Sequence, residues 1–139
     1  VAISGDGTVI IHEGTGKYVG SFTAMGGEVA RLTLAATDLD SDDIDEVIVA
    51  AGTGYIPQVA VYNKRGMLVR SFFAFPYEFR GGVQIAAGDI DGNGSSELYA
   101  APLSQGGPQM RIFGPDGALI GGFFAFDEAN RFGAMVAVY

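Results

Sequence analysis

The chain contains no cysteine and only one histidine, His12. The missing cysteines exclude a disulfide framework and thiol chemistry, and with a single histidine they also argue against a zinc site. Basic residues are few as well: 8 Lys and Arg stand against 16 Asp and Glu, for a formal net charge of −8. A chain this acidic lacks the basic face that nucleic acids and anionic membranes require. No apolar run reaches the length needed to cross a bilayer.

Catalytic motifs are absent too. The sequence has neither a GxSxG element nor a phosphate-binding loop, and nothing places its Ser, His and Asp residues together. We therefore expect a protein that is not an enzyme. Glycine, by contrast, is abundant, at 22 of 139 residues, and Leu, Ile, Val and Phe are plentiful enough to build the core of one domain.

An internal repeat with a spacing of 51 residues runs through the chain. IPQVAVYN (56–63) matches GPQMRIFG (107–114), and GMLVRSFFAF (66–75) matches GALIGGFFAF (117–126). The first part of the chain follows the pattern more loosely, with 8–22 corresponding to 58–72. Within each unit the apolar residues alternate with a period of two, and Gly, Asp and Pro bound the runs, which is typical of strands and turns.

Four strands per unit, labelled a to d, predict an all-β protein and a β-propeller of four-stranded blades, with about three blades in this chain. A β-solenoid is the alternative. Residues 1–31 would form strands b-c-d of a partial blade, 32–82 and 83–133 two whole blades, and 134–139 a closing strand a, for twelve strands in one repeat domain. Three blades are too few for a ring. We therefore expect partners: other copies of the chain, or further repeats of a longer chain.

Two acidic loops follow strand a of the two whole units. DLDSDDIDE (38–46) holds six of the sixteen acidic residues and DIDGNGSSE (89–97) holds three. Side-chain oxygens stand at positions 1, 3, 5 and 9 of each loop, and the backbone carbonyl of position 7 can add another ligand. The predicted ligands are Asp38, Asp40, Asp42, Ile44 and Glu46 in one loop, and Asp89, Asp91, Asn93, Ser95 and Glu97 in the other.

Six to eight oxygen ligands at flexible angles suit Ca²⁺, whereas Mg²⁺ requires a stricter octahedron. The loops are not EF-hands, since position 12 is Val49 or Ala100 rather than Glu. A solvated acidic turn without metal is the plain alternative. Two copies with the same offsets favour a cation, because carboxylates this close repel one another.

The order FRGGVQIAAGDIDGNGSSELYAAP (79–102) resembles the FG-GAP repeat family of integrin-α-type propellers and its VCBS-repeat relatives. Phe132-Gly133 and Ala100–Pro102 are versions of the elements that name the family. The resemblance implies a calcium-binding propeller in an extracellular or cell-surface setting. One departure is Asp43 at position 6, where the other loop has Gly94, and we expect it to strain the turn or to alter its affinity. The other is Glu at position 9, where the family more often has Asp.

The sequence therefore favours a calcium-stabilised, secreted module for adhesion, recognition or assembly, with a protein or carbohydrate ligand. The alternatives are a propeller domain of a secreted carbohydrate-active or other enzyme, and a subunit of an extracellular fibre or surface layer. The repeated FFAF stripes predict packing between successive blades through Phe72, Phe75, Phe123 and Phe126, or their neighbours Phe73 and Phe124. A platform for an aromatic ligand is the other interpretation.

Overall fold

The computed structural model describes residues 1–138, and within them it shows eleven β-strands in three antiparallel sheets, which confirms the all-β prediction. The only helical element there is a short 3-10 turn at Ala24–Gly27, and no helix in this range is long and apolar enough to cross a membrane. The strands are β1 (Ala2–Ile3), β2 (Thr8–His12), β3 (Tyr18–Thr23), β4 (Thr33–Thr37), β5 (Glu46–Ala50), β6 (Gln58–Tyr62), β7 (Leu68–Phe73), β8 (Val83–Gly88), β9 (Glu97–Pro102), β10 (Gln109–Phe113) and β11 (Leu119–Phe124).

Each sheet is a meander in which every strand pairs with the next along the chain. Sheet I has the order β1-β2-β3, sheet II β4-β5-β6-β7 and sheet III β8-β9-β10-β11. The turn between β6 and β7 shows why the chain reverses so tightly. Asn63 accepts hydrogen bonds from the amides of Arg65 and Met67, at 3.0 and 3.1 Å, and Gly66 takes a φ of 74° that favours glycine.

Sheet II lies between the other two, and this explains the continuous burial of β5. Val47 and Val49 pack with Val9 of sheet I, while Ile48 and Ala50 pack with residues of sheet III on the opposite face. Because side chains alternate between faces, a strand covered on both sides buries every residue. Burial of this apolar surface is the main stabilising contribution to the fold.

Half of the predicted phenylalanine stripe lies in these inter-sheet contacts. Phe72 of sheet II meets Phe113 of sheet III with ring centroids 4.8 Å apart, and Phe75 is only 6% exposed. Within residues 1–138, Phe123 and Phe126 make no such contact between sheets and are exposed. The alternative residues, Phe73 and Phe124, are exposed as well. The repeat makes the two stripes equivalent in sequence, but only sheet II has a neighbouring sheet on that face.

The predicted twelfth strand is not present in residues 134–138, and Tyr139 of that prediction lies outside the described residues. Burial alternates along the segment, with Ala134 buried and Met135 exposed, and the segment packs on Tyr99 and Met110 of sheet III. Ala134 donates to the Pro102 carbonyl at 2.9 Å. A strand requires a hydrogen-bonded partner strand, and among residues 1–138 none lies beside this segment.

Candidate metal sites

The two acidic loops connect the first and second strands of sheets II and III. In register, Thr37 of β4 pairs with Glu46 of β5, and Gly88 of β8 pairs with Glu97 of β9. Position 9 of each loop is therefore the first residue of a buried strand, and both glutamates are only 6% exposed. The hairpin brings Asp38, Asp40 and Asp42 close together in the first loop, and Asp89 and Asp91 close to Glu97 in the second.

The first aspartate of each loop organises the backbone in the same way. Asp38 accepts hydrogen bonds from the amides of Ser41 and Asp43, at 2.7 and 2.9 Å. Asp89 accepts from Gly92 and Gly94, at 2.7 and 2.8 Å. Aspartate is common in such turns because its short side chain can satisfy nearby amides. The two loops thus share one conformation despite their different sequences.

Positions 4 and 6 of both loops have a left-handed backbone. The φ angles are 63° at Ser41 and 65° at Asp43, against 75° at Gly92 and 88° at Gly94. Glycine adopts this region without a steric penalty, whereas a residue with a Cβ pays a cost there. The Asp38 loop is therefore the more strained of the two, as the departure at position 6 suggested.

Replacing Asp43 by glycine is expected to raise the free energy of unfolding by about 0.5 to 1 kcal/mol, because it removes a left-handed non-glycine residue. The reciprocal change, Gly94→Asp, is expected to lower it by a similar amount. Urea unfolding of both variants in calcium-free buffer measures the two effects. If the free energy of unfolding changed in the same direction in both variants, backbone strain at position 6 would not explain the difference between the loops.

Three acidic side chains converge in each loop. In each group, one carboxylate oxygen per residue lies within 4.8 Å of the others, and the groups are Asp38, Asp40 and Asp42, and Asp89, Asp91 and Glu97. Within residues 1–138 the only ion pair joins Lys17 to Glu13, so none of these carboxylates pairs with a basic side chain in that range. Both clusters could hold a metal ion, which would offset the repulsion between their charges.

Glu46 differs from its counterpart Glu97. Glu97 belongs to the converging group of its loop, whereas the Oε2 atom of Glu46 accepts a hydrogen bond from the amide of Leu39, at 3.0 Å. Burial raises the pKa of the Glu46 carboxyl, and the charges of the loop aspartates raise it further. A cation in the loop would act in the opposite direction, because it would favour the charged form.

The remaining predicted ligands lie in the same loops. Asn93 donates from Nδ2 to Asp91 at 2.9 Å and accepts from the amide of Ser95 at 2.8 Å. The amide of Ile44 donates to Asp42 at 2.9 Å, which is the equivalent contact in the other loop. Positions 5 and 7 are therefore linked in both loops, and this link holds the position-5 oxygen within the loop.

Two features of the surroundings were not foreseen from the sequence. A groove of about 210 Å³ beside Asp42 and Glu46 is also lined by Lys64 and Arg65, from the turn between β6 and β7. The hydroxyls of Thr37 and Ser96, 2.7 Å apart, join the end of β4 to the second acidic loop. Both features join residues that are distant in sequence, so local patterns do not predict them. The position of the β6–β7 turn within the repeat was the one feature of the sequence that could have indicated the groove.

No protein-family model, no curated protein and no solved structure matches the chain.

Proposed function

We propose that the two acidic loops bind Ca²⁺ and that the chain is a calcium-stabilised module with a non-catalytic role in adhesion, recognition or assembly outside the cell. One observation carries this proposal: two loops of the same backbone conformation each gather three carboxylates within 4.8 Å. A cation is the physical reason to keep such a cluster twice in one chain.

Calcium fits these loops better than other divalent ions. The available donors are carboxylates, the amide oxygen of Asn93 and backbone carbonyls, which are all hard oxygen ligands. Magnesium would have to retain several water molecules and an octahedral shell, and zinc would prefer nitrogen and sulfur ligands. Extracellular modules bind calcium with dissociation constants of about 10⁻⁴ to 10⁻³ M, so the calcium outside cells would fill even weak sites.

The stacking of the three sheets supports a propeller of the FG-GAP repeat type. Each of sheets II and III is a four-stranded meander with the same strand order, and neighbouring sheets pack face to face. Propellers and other repeat folds are built in this way: one supersecondary unit is repeated, and each unit buries its faces against its neighbours. The acidic loops, which would hold the calcium ions, connect the first and second strands of both sheets. The family resemblance implies this equivalent position in each repeat.

Isothermal titration of the metal-free chain with calcium tests the proposal, with Asp40→Asn as the informative variant. Asp40 is exposed and accepts no hydrogen bond from residues 1–138, so its replacement should leave the metal-free loop intact. Removing this ligand charge is expected to weaken binding at one of two sites by about tenfold or more.

Asp43→Asn is the matched control for this titration. It removes the same charge from the same loop, but Asp43 lies outside the converging group and asparagine tolerates the left-handed backbone. Binding to this control is expected to stay close to that of the unchanged chain. Absence of calcium uptake by the folded chain, or equal losses in both variants, would contradict the proposal.

A further inference from the structure

One aromatic contact recurs at both junctions between sheets. Phe22 of sheet I lies against Tyr62 of sheet II, and Phe72 of sheet II against Phe113 of sheet III, each with ring centroids 4.8 Å apart. In both cases the phenylalanine also covers a turn glycine of the next sheet. A Cβ at Gly117 would stand 2.9 Å from the Phe72 ring, and one at Gly66 would overlap Phe22.

In each contact the phenylalanine packs on an aromatic residue and a turn glycine, which together form a receiving site. Sheet I has an equivalent receiving site, but within residues 1–138 no phenylalanine of another sheet packs on it. In the repeat, His12 stands where Tyr62 and Phe113 stand, and Gly16 stands where Gly66 and Gly117 stand. The turn is the same, since Gly16 has a φ of 85°, yet no other atom of residues 1–138 lies within 4 Å of a Cβ built on it. His12 is exposed. We call His12 and Gly16 the free site of sheet I.

Sheet III carries the matching phenylalanines, but no aromatic residue and turn glycine of a further sheet lie against them within residues 1–138. Phe126 is 58% exposed, whereas its equivalent Phe75 is 6% exposed, and Phe123 is 53% exposed although its equivalent Phe72 is partly buried. The neighbouring position is not affected: Phe124 and its equivalent Phe73 are 49% and 48% exposed. Among these three positions, the increase in exposure from sheet II to sheet III is therefore found only on the face that a next sheet would cover. We call Phe123 and Phe126 the free phenylalanines of sheet III.

We propose that the free phenylalanines of sheet III in one copy of the chain pack on the free site of sheet I in a second copy. The chain carries both halves of a contact that it already makes twice internally, and this makes a second copy the fitting partner. Burying large aromatic side chains stabilises association. Segment 134–138 stands in the repeat where β8 stands. It would then lie beside β1 of the second copy, as β8 lies beside β9.

The contact is heterologous, because it joins different surfaces of the two copies. Two copies that make it at both ends would close a ring of six sheets, whereas one contact per pair would leave an open chain. This inference does not depend on calcium, since none of the residues at the contact belongs to an acidic loop.

Sedimentation velocity of the whole chain at micromolar concentration tests the proposal. The expected mass is twice 14.5 kDa for the closed form, or a larger multiple for the open form. Phe123→Glu and Gly16→Asp should each reduce the mass to that of one chain. Aspartate is chosen at position 16 because it tolerates a left-handed backbone. Phe124→Glu is the matched control, which should assemble like the unchanged chain.

Mixing the two disabled variants gives the sharper result. The Gly16→Asp copy retains its phenylalanines and the Phe123→Glu copy retains its free site, so an equimolar mixture should form heterodimers. Phe126→Glu and His12→Glu serve as a second pair if circular dichroism shows that a first variant has lost its β-sheet spectrum. A monomeric unchanged chain would overturn the proposal. So would assembly that persists in the variants, or a folded mixture that stays monomeric.

Discussion

Replacing Phe75 by alanine is expected to lower the free energy of unfolding by about 3 to 5 kcal/mol. Phe75 is 6% exposed and lies in the cluster that joins sheets II and III. Its ring centroid is 5.2 Å from that of Phe79, and the Arg111 guanidinium lies 5.2 Å above its face. Truncation would remove these contacts and leave a cavity between two sheets that cannot close by a local adjustment.

The matched control is Phe73→Ala, two residues earlier on the same stretch of chain. Phe73 is 48% exposed and its ring contacts Tyr77 at 5.6 Å, so its loss is expected to cost about 1 kcal/mol or less. Urea unfolding followed by circular dichroism measures both values. Equal costs for the two changes would mean that the face between sheets II and III is not the core of this fold.

Calcium at about 100 times its dissociation constant is expected to add about 2.7 kcal/mol per site to the free energy of unfolding. This follows because the unfolded chain does not hold three carboxylates together, so the ion binds the folded state alone. Two equally filled sites would double the effect. For a total stability of about 5 to 15 kcal/mol, which is usual for a domain, the change would be a large fraction.

Thermal unfolding with calcium, and again after addition of a chelator, measures this stabilisation. Magnesium at the same concentration is the control for ionic strength, and it should give a much smaller shift because it requires a stricter octahedron. The double change Asp40→Asn with Asp91→Asn should remove most of the calcium-dependent part. A melting temperature that calcium leaves unchanged in the folded chain would contradict both proposed sites.

Local patterns in the sequence were sufficient to predict the strands and the acidic loops. Alternation of apolar residues depends only on neighbours in the chain, and the strand positions from β2 to β11 follow it. The loop offsets likewise predicted that Asp38, Asp40 and Asp42 converge, because a tight hairpin brings alternate side chains together. The strained position at Asp43 was visible by comparison with Gly94, since the repeat aligns the two residues.

The tertiary structure alone decided which faces are covered. Phe75 and Phe126 are equivalent in sequence, yet one is buried and the other exposed, because only sheet II has another sheet against that face. The same reason applies to residues 134–138, whose alternation predicted a strand but whose backbone has no partner strand among the described residues. Periodicity is a property of consecutive residues, whereas burial and hydrogen-bond pairing depend on which distant segments lie alongside.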